Sequence, residues 1–130
     1  MLPIALALAI GSMGLTTTET PAGSRWHPSL IHSFAVPAEE RVFVTFHANG
    51  RVTGNGGCNQ FFGGYKIAGD TVRIGPLAST KKGCPGKYEL ETTFLSTLQA
   101  AATFRREGAS LVLFDAGGQE IARLVEVDGA

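Results

Sequence analysis

The chain has 130 residues, 44% of them hydrophobic, which suits one domain with a core of its own. Eleven Lys and Arg balance eleven Asp and Glu, so the overall charge lacks the clustered positive field that nucleic-acid binding needs. Seventeen glycines, about twice the usual share, sit at turn-like positions and punctuate many short strands.

Residues 1–15 carry no charge. Their apolar run fits the length of a secretory leader and is short for a membrane span. Small residues at 12–14 or 20–22 suit a cleavage site. No Lys or Arg precedes the run, which weakens the leader reading and leaves a buried strand or helix as the other one. No Cys follows it, so no lipid anchor is expected. Residues 16–24 are small and polar and read as a flexible tether, because they bury too little apolar area to offset ordering. The expected organisation is therefore a signal-like run and tether over 1–24 and a folded domain over 25–127.

Trp26 to Phe34 reads as a first strand, with Pro28 at an edge or bulge. Val42 to His47 is β-branched and aromatic, with Val42, Val44 and Phe46 on one face and Phe43, Thr45 and His47 on the other. Asn49-Gly50 predicts a type I′ turn into Arg51–Gly54. Gly56 and Gly57 suit a bulge or positive-φ bend; the stretch lacks the Gly-Lys-Ser/Thr ending of a phosphate loop. Gly69-Asp70 joins strands at Gly64–Ala68 and Thr71–Ile74. Lys87 to Ala102 breaks the rhythm: Leu90, Phe94, Leu95, Leu98, Ala101 and Ala102 make one helical face, behind Pro85-Gly86. Glu89 and Glu91 suit the positive end of that helix. Phe104–Glu107 pairs on Leu111–Phe114 through Gly108-Ala109, and Glu120–Val125 follows Ala116-Gly117-Gly118. The fold class is α+β: a strongly bent antiparallel β-sheet, or small open barrel, packed around one α-helix.

The chemistry-bearing residues are few. In an exported domain Cys58 and Cys84 form a disulfide, and a loop of roughly 25 residues so closed is worth about 3 to 4 kcal/mol. Buried free thiols and a catalytic thiol are the other readings, although no base is evident beside either cysteine. His27, His32 and His47 have no metal-ligand spacing and read as surface or rim histidines. Lys81, Lys82 and Lys87, like Arg105 and Arg106, read as solvated loop charges. Asn59 suits loop closure through its own backbone neighbourhood better than ligand contact. Phe61 and Phe62 read as core or rim, or as the lining of an apolar mouth. No Gly-x-Ser-x-Gly elbow occurs.

Trp26, Phe46-x-x-Asn49-Gly50-Arg51-Val52-x-Gly54, Gly57-Cys58-Asn59-x-Phe61-x-Gly63-x-Tyr65, Leu77-Ala78-Ser79-Thr80-x-x-x-Cys84, Glu91-x-x-Phe94-Leu95-x-x-Leu98 and Leu111-x-Leu113 together resemble the META domain family, which includes heat-inducible HslJ-type proteins. The resemblance covers about 100 residues. It picks out Gly57, Cys58, Asn59, Gly63, Tyr65, Thr80, Cys84 and Glu91 as family positions. It implies strands curved around a helix, export, and loose links to heat stress, antibiotic tolerance, motility or virulence. It brings no catalytic residues. Family members are often lipoproteins, and the absent leader cysteine favours a soluble periplasmic or secreted form.

The leading expectation is a non-enzymatic, exported cell-envelope domain without cofactor or metal. It would bind an envelope protein or a small apolar ligand in a groove lined by Phe61, Phe62, Tyr65 and Phe94, as a monomer that is neither transmembrane nor nucleic-acid-binding. A protease-inhibitor module presenting loops 54–63 and 79–86 is one alternative. A passive stability module is another, and a thiol hydrolase or redox enzyme is the last.

Overall fold

A computed structural model describes residues 19–128. The apolar leader-like run at 1–15 and the first tether residues, 16–18, lie outside them. The elements in chain order are β1 (Ser24–Ile31), β2 (Phe34–Ala35), β3 (Val42–Phe46), β4 (Arg51–Gly56), β5 (Gln60–Ala68), β6 (Thr71–Ser79), α1 (Tyr88–Ala100), β7 (Thr103–Glu107), β8 (Ser110–Phe114) and β9 (Glu120–Val127). All strand pairs are antiparallel, because short turns connect most neighbours. The sheet order is β2-β1-β3-β4-β5-β6-β7-β8-β9, and a further β1–β9 pairing brings it round on itself. Strand twist makes this return possible.

The ring has one weak seam. β6 and β7 share only the Thr71–Thr103 bridge, flanked by Val72 N–H to Ala102 O (2.9 Å) and Phe104 N–H to Asp70 O (3.0 Å). The chain leaves β6, forms α1, and returns as β7. Phe94 and Leu98 of α1 are fully buried and join Trp26, Val44, Phe46, Val52, Phe61, Leu111, Leu113 and Leu124 in one core. Phe61 and Phe94 meet edge to face at 5.9 Å. The helix therefore fills the interior beside the seam.

Alternation decides which side chains reach that core. Val42, Val44 and Phe46 point inward, opposite the outward Phe43, whose ring lies 4.3 Å beneath the Arg25 guanidinium. Pro28 sits where β3 has already left β1 and where the β1–β9 register shifts, so its missing N–H costs no ladder bond. Glycine is required at Gly54: a Cβ there would overlap the Phe43 carbonyl and the Phe61 ring.

Several expectations need correction. The Asn49-Gly50 turn is not type I′: among non-glycine described residues only His32 has positive φ, so Asn49 stays right-handed and Gly50 alone (φ 89°) turns over. Gly50 N–H bonds His47 O, and Asn49 Oδ1 accepts from Arg51 N–H. β5 and β6 are longer than the sequence suggested, because a bulge between Gly63 and Tyr65 lets the ladder continue. The first strand ends at Ile31, and Phe34 belongs to β2 after a His32-Ser33 turn. The helix is Tyr88–Ala100, not Lys87–Ala102. Residues ahead of 25 contact the sheet: Pro21 is buried, its carbonyl accepts from Trp26 Nε1, and Thr20 O accepts from Arg106. Arg106 is no loop charge. It lies on β7, 5.0 Å over the Trp26 ring, paired with Glu126 at 3.1 Å. His27 is buried, with Nδ1 donating to Val42 O (2.9 Å) and Nε2 without a partner.

Two glycine substitutions should separate crowding from backbone strain. Gly54→Ala is expected to cost about 3 kcal/mol, since a backbone oxygen cannot move aside. Gly108→Ala, at φ 63° with open space around it, should cost only about 1 kcal/mol. Urea unfolding midpoints check both; equal losses would contradict the packing described.

Candidate functional site

The three residues between β4 and β5 form a junction with the start of α1. Gly57 (φ 113°) turns the chain, helped by Asn55 Oδ1 accepting from its N–H at 2.8 Å. Asn59 is then carried inward to 6% exposure. Its Oδ1 accepts from Thr80 Oγ1 (2.8 Å) and Lys82 N–H (2.6 Å). Its Nδ2 donates to Lys82 O (3.0 Å) and Glu91 Oε2 (2.8 Å). Both acceptor sites and both donors of the amide are thus used. Glu91 Oε1 also accepts from the backbone N–H of Asn59 (2.6 Å) and Cys58 (3.2 Å). Gly56 lets the helix approach, because a Cβ there would run into the Glu91 side chain. The Cys58–Cys84 disulfide, with Cα atoms 5.9 Å apart, ties the same two segments covalently.

The structure therefore brings together Gly57, Cys58, Asn59, Thr80, Cys84 and Glu91. Gly63 and Tyr65 stand apart. Gly63 passes close to Pro76, whose oxygen would lie 2.6 Å from an added Cβ. Tyr65 packs edge-on against Phe46 at 5.1 Å, and its hydroxyl donates to His47 O. Burial holds the Tyr65 phenol above its usual pKa of 10.0. The role of Asn59 is closure, as expected, but across three segments rather than within its own loop. That Glu91 reaches back from the first helical turn was missed; an acidic residue there reads equally well as a helix-dipole partner.

This junction answers its polar groups internally and is a brace. With the two sulfurs bonded to each other, neither is a thiol nucleophile. Among the described residues no group of three or more His, Cys, Asp or Glu is placed to hold a metal. Of the two segments expected as loops, residues 54–56 and 60–63 are strand, while 57–59 and 80–86 lie outside the strands and the helix.

Phe61, Phe62, Tyr65 and Phe94 do not form a groove. Phe61 and Phe94 are sealed in the core, while Phe62 points to the opposite face and is 43% exposed. A different groove exists between β2 and the first half of α1, with a volume of about 590 Å³. Phe34, Ala35 and Pro37 line one wall, and Leu90 and Thr93 the other. Phe34 is 59% exposed. Lys87 Nζ reaches Glu40 Oε1 at 2.8 Å and ties the intervening loop to the helix. Val36 N–H bonds Ser29 O, so the Leu30–Ala35 pair falls between bonded pairs. The N–H and C=O of Ala35 accordingly point away from β1, toward the free edge.

A META domain family model matches residues 18–128. The fold is similar to an NMR structure of a protein from Burkholderia xenovorans (19% identity, TM-score 0.69, 84% of this chain and 85% of that one). It is also similar to a second protein solved by NMR (22%, TM-score 0.61, 78% and 88%). A duf4847 family protein from Bacteroides vulgatus, solved by crystallography, aligns at 21% identity and TM-score 0.52 over 70% and 62%. At these identities the likenesses show the fold alone. A search of curated proteins finds no match.

Asn59→Asp should destabilise more than Asn59→Ala, although it is the smaller change in shape. It removes two donors and sets a carboxylate against Glu91, so a loss of about 3 kcal/mol is expected at neutral pH, partly recovered on acidification. Denaturant titrations at two pH values would show this. Tyr65 gives a second test. Its raised folded-state pKa favours the neutral phenol, so its contribution is full below pH 10 and is lost as pH rises through the folded value. Phenolate absorbance should show Tyr65 titrating above the usual phenol value, and Tyr65→Phe should shallow the alkaline loss of stability.

Proposed function

The chain belongs to the META domain family, and from that premise we propose that it is a non-enzymatic domain of the cell envelope. Its task is to hold a short, extended, apolar segment of a partner protein between β2 and α1. The observation that carries this reading is the free edge at Ala35 across a groove from Leu90, with Phe34 and Pro37 as the other apolar lining. An extended peptide gains main-chain hydrogen bonds along such an edge and places alternate side chains in the groove. The groove volume of about 590 Å³ lies within the usual range for ligand sites. The location is supported by the Cys58–Cys84 disulfide, which persists in oxidising compartments. No helix among the described residues is long and apolar enough to cross a membrane.

NMR titration with a peptide of alternating Leu and Ser tests this. Amide shifts should concentrate at Ala35, Leu90 and Thr93. Ala35→Pro removes only an outward N–H and should weaken binding about tenfold, the worth of one hydrogen bond. Leu90→Asp should abolish it. Shifts that avoid this groove, or are indifferent to both substitutions, would overturn the reading.

A further inference from the structure

The balanced net charge conceals a segregation that the ring turns into a surface. Residues 42–84, which include all of β3 to β6, contain five Lys or Arg and one carboxylate, Asp70. The rest of the chain contains six against ten. Register and burial place the relevant side chains on one face. Phe61 is buried, so its neighbour Phe62 points outward, opposite Thr53 on β4 and Ala78 on β6. Arg51, two residues from Thr53, lies on the same face. Lys66 and Arg73 are exposed and directly paired across β5 and β6, while their neighbours Val72 and Ile74 are buried.

Two like charges set directly opposite each other oppose folding, so this arrangement is not explained by sheet stability. None of Arg51, Lys66, Arg73, Lys81 or Lys82 is ion-paired among the described residues; of the six cations elsewhere Lys87, Arg105, Arg106 and Arg123 are, and Arg25 and Arg41 are not. Asp70 stands at the hairpin tip beyond Lys66 and Arg73. At strand spacings of about 4.8 Å and about 3.4 Å per residue, the three outward cations fall within about 15 Å of Phe62.

We propose that the outer face of β4, β5 and β6 docks on an anionic lipid bilayer. A lone exposed aromatic ring among unpaired cations is the chemistry of the membrane interface: the ring enters the headgroup boundary while the cations meet lipid phosphates. A single-stranded polyanion would instead be met by successive aromatic platforms, and this face has one. The peptide groove lies on other elements, β2 and α1, so the two surfaces are distinct.

The test is sedimentation of the full chain with vesicles of phosphatidylcholine alone or with roughly a third phosphatidylglycerol. Any charge-independent partition by the apolar residues 1–15 is common to both, so the ratio is the readout. Anionic vesicles should bind the chain more strongly, and rising salt should release it. Arg51→Ser, Lys66→Ser and Arg73→Ser combined should lower anionic partition about a hundredfold. These are exposed positions, and a thermal melt checks folding; Phe62→Ser, expected to lower partition several-fold, gives an independent arm. Arg105→Ser with Arg123→Ser, ion-paired on the other side, should change nothing. Equal partition into both vesicles, indifference to the triple and Phe62 variants, or a preference for a single-stranded oligonucleotide over anionic vesicles would each overturn the proposal.

Discussion

The bond between Asn59 and Glu91 is the constraint on which the rest of the molecule depends. A ring of short hairpins has no intrinsic reason to hold a helix, and its one helix sits beside its weakest seam, where β6 and β7 share a single bridge. The Glu91 carboxylate joins the first turn of that helix to the β4–β5 linker through three N–H groups. Hydrogen bonds to a charged group in a half-buried setting are worth more than neutral ones, about 1.5 to 3 kcal/mol each. The disulfide lies alongside and limits how far the same segments separate when the bonds open. Covalent and polar restraints thus coincide at the point where the fold has least help from its strand ladder.

That junction also sets the position of the other half of the helix surface. With Glu91 fixed toward the linker, Phe94 and Leu98, three and seven residues further along the helix, enter the core. Leu90, on the adjoining side, is left only partly buried and faces β2. The Lys87–Glu40 pair holds the opposing loop at the same end. The groove is therefore a by-product of how the helix is pinned: one side of the helix is spent on the core and the neighbouring stripe at Leu90 is only partly covered.

Charge follows a different logic from packing. Outward side chains on β4 to β6 play no part in the core, so their sign is free of packing constraint. On β7 to β9 the outward charges are neutralised locally, as in Arg123 with Glu120, where the bonded guanidinium holds the Glu120 carboxyl below its usual range. A whole-chain balance averages these two faces to zero. The ring, which puts β4, β5 and β6 side by side, sets on one face cations that the sequence already gathers within residues 42–84.

The strand pattern, the helix and the glycine bends were legible in the sequence because each depends on neighbours a few residues away: period two at Val42–Phe46, an apolar stripe at Leu90–Leu98, positive φ at Gly57. The boundaries of β5 and β6 were not, because the bulge at Gly63–Tyr65 exists only against a paired strand. The expected aromatic groove failed for the same reason. Phe61 and Phe62 look alike in sequence, and strand direction alone sends one to the core and the other to solvent. By itself, then, the sequence determined the local conformations, the α+β class and, through its motif spacing, the family. The tertiary structure alone decided that Glu91 braces Asn59, that the groove lies at β2 and α1, and that the cations share a face, since each of these is a contact between residues far apart in the chain and close only after the sheet has come round on itself.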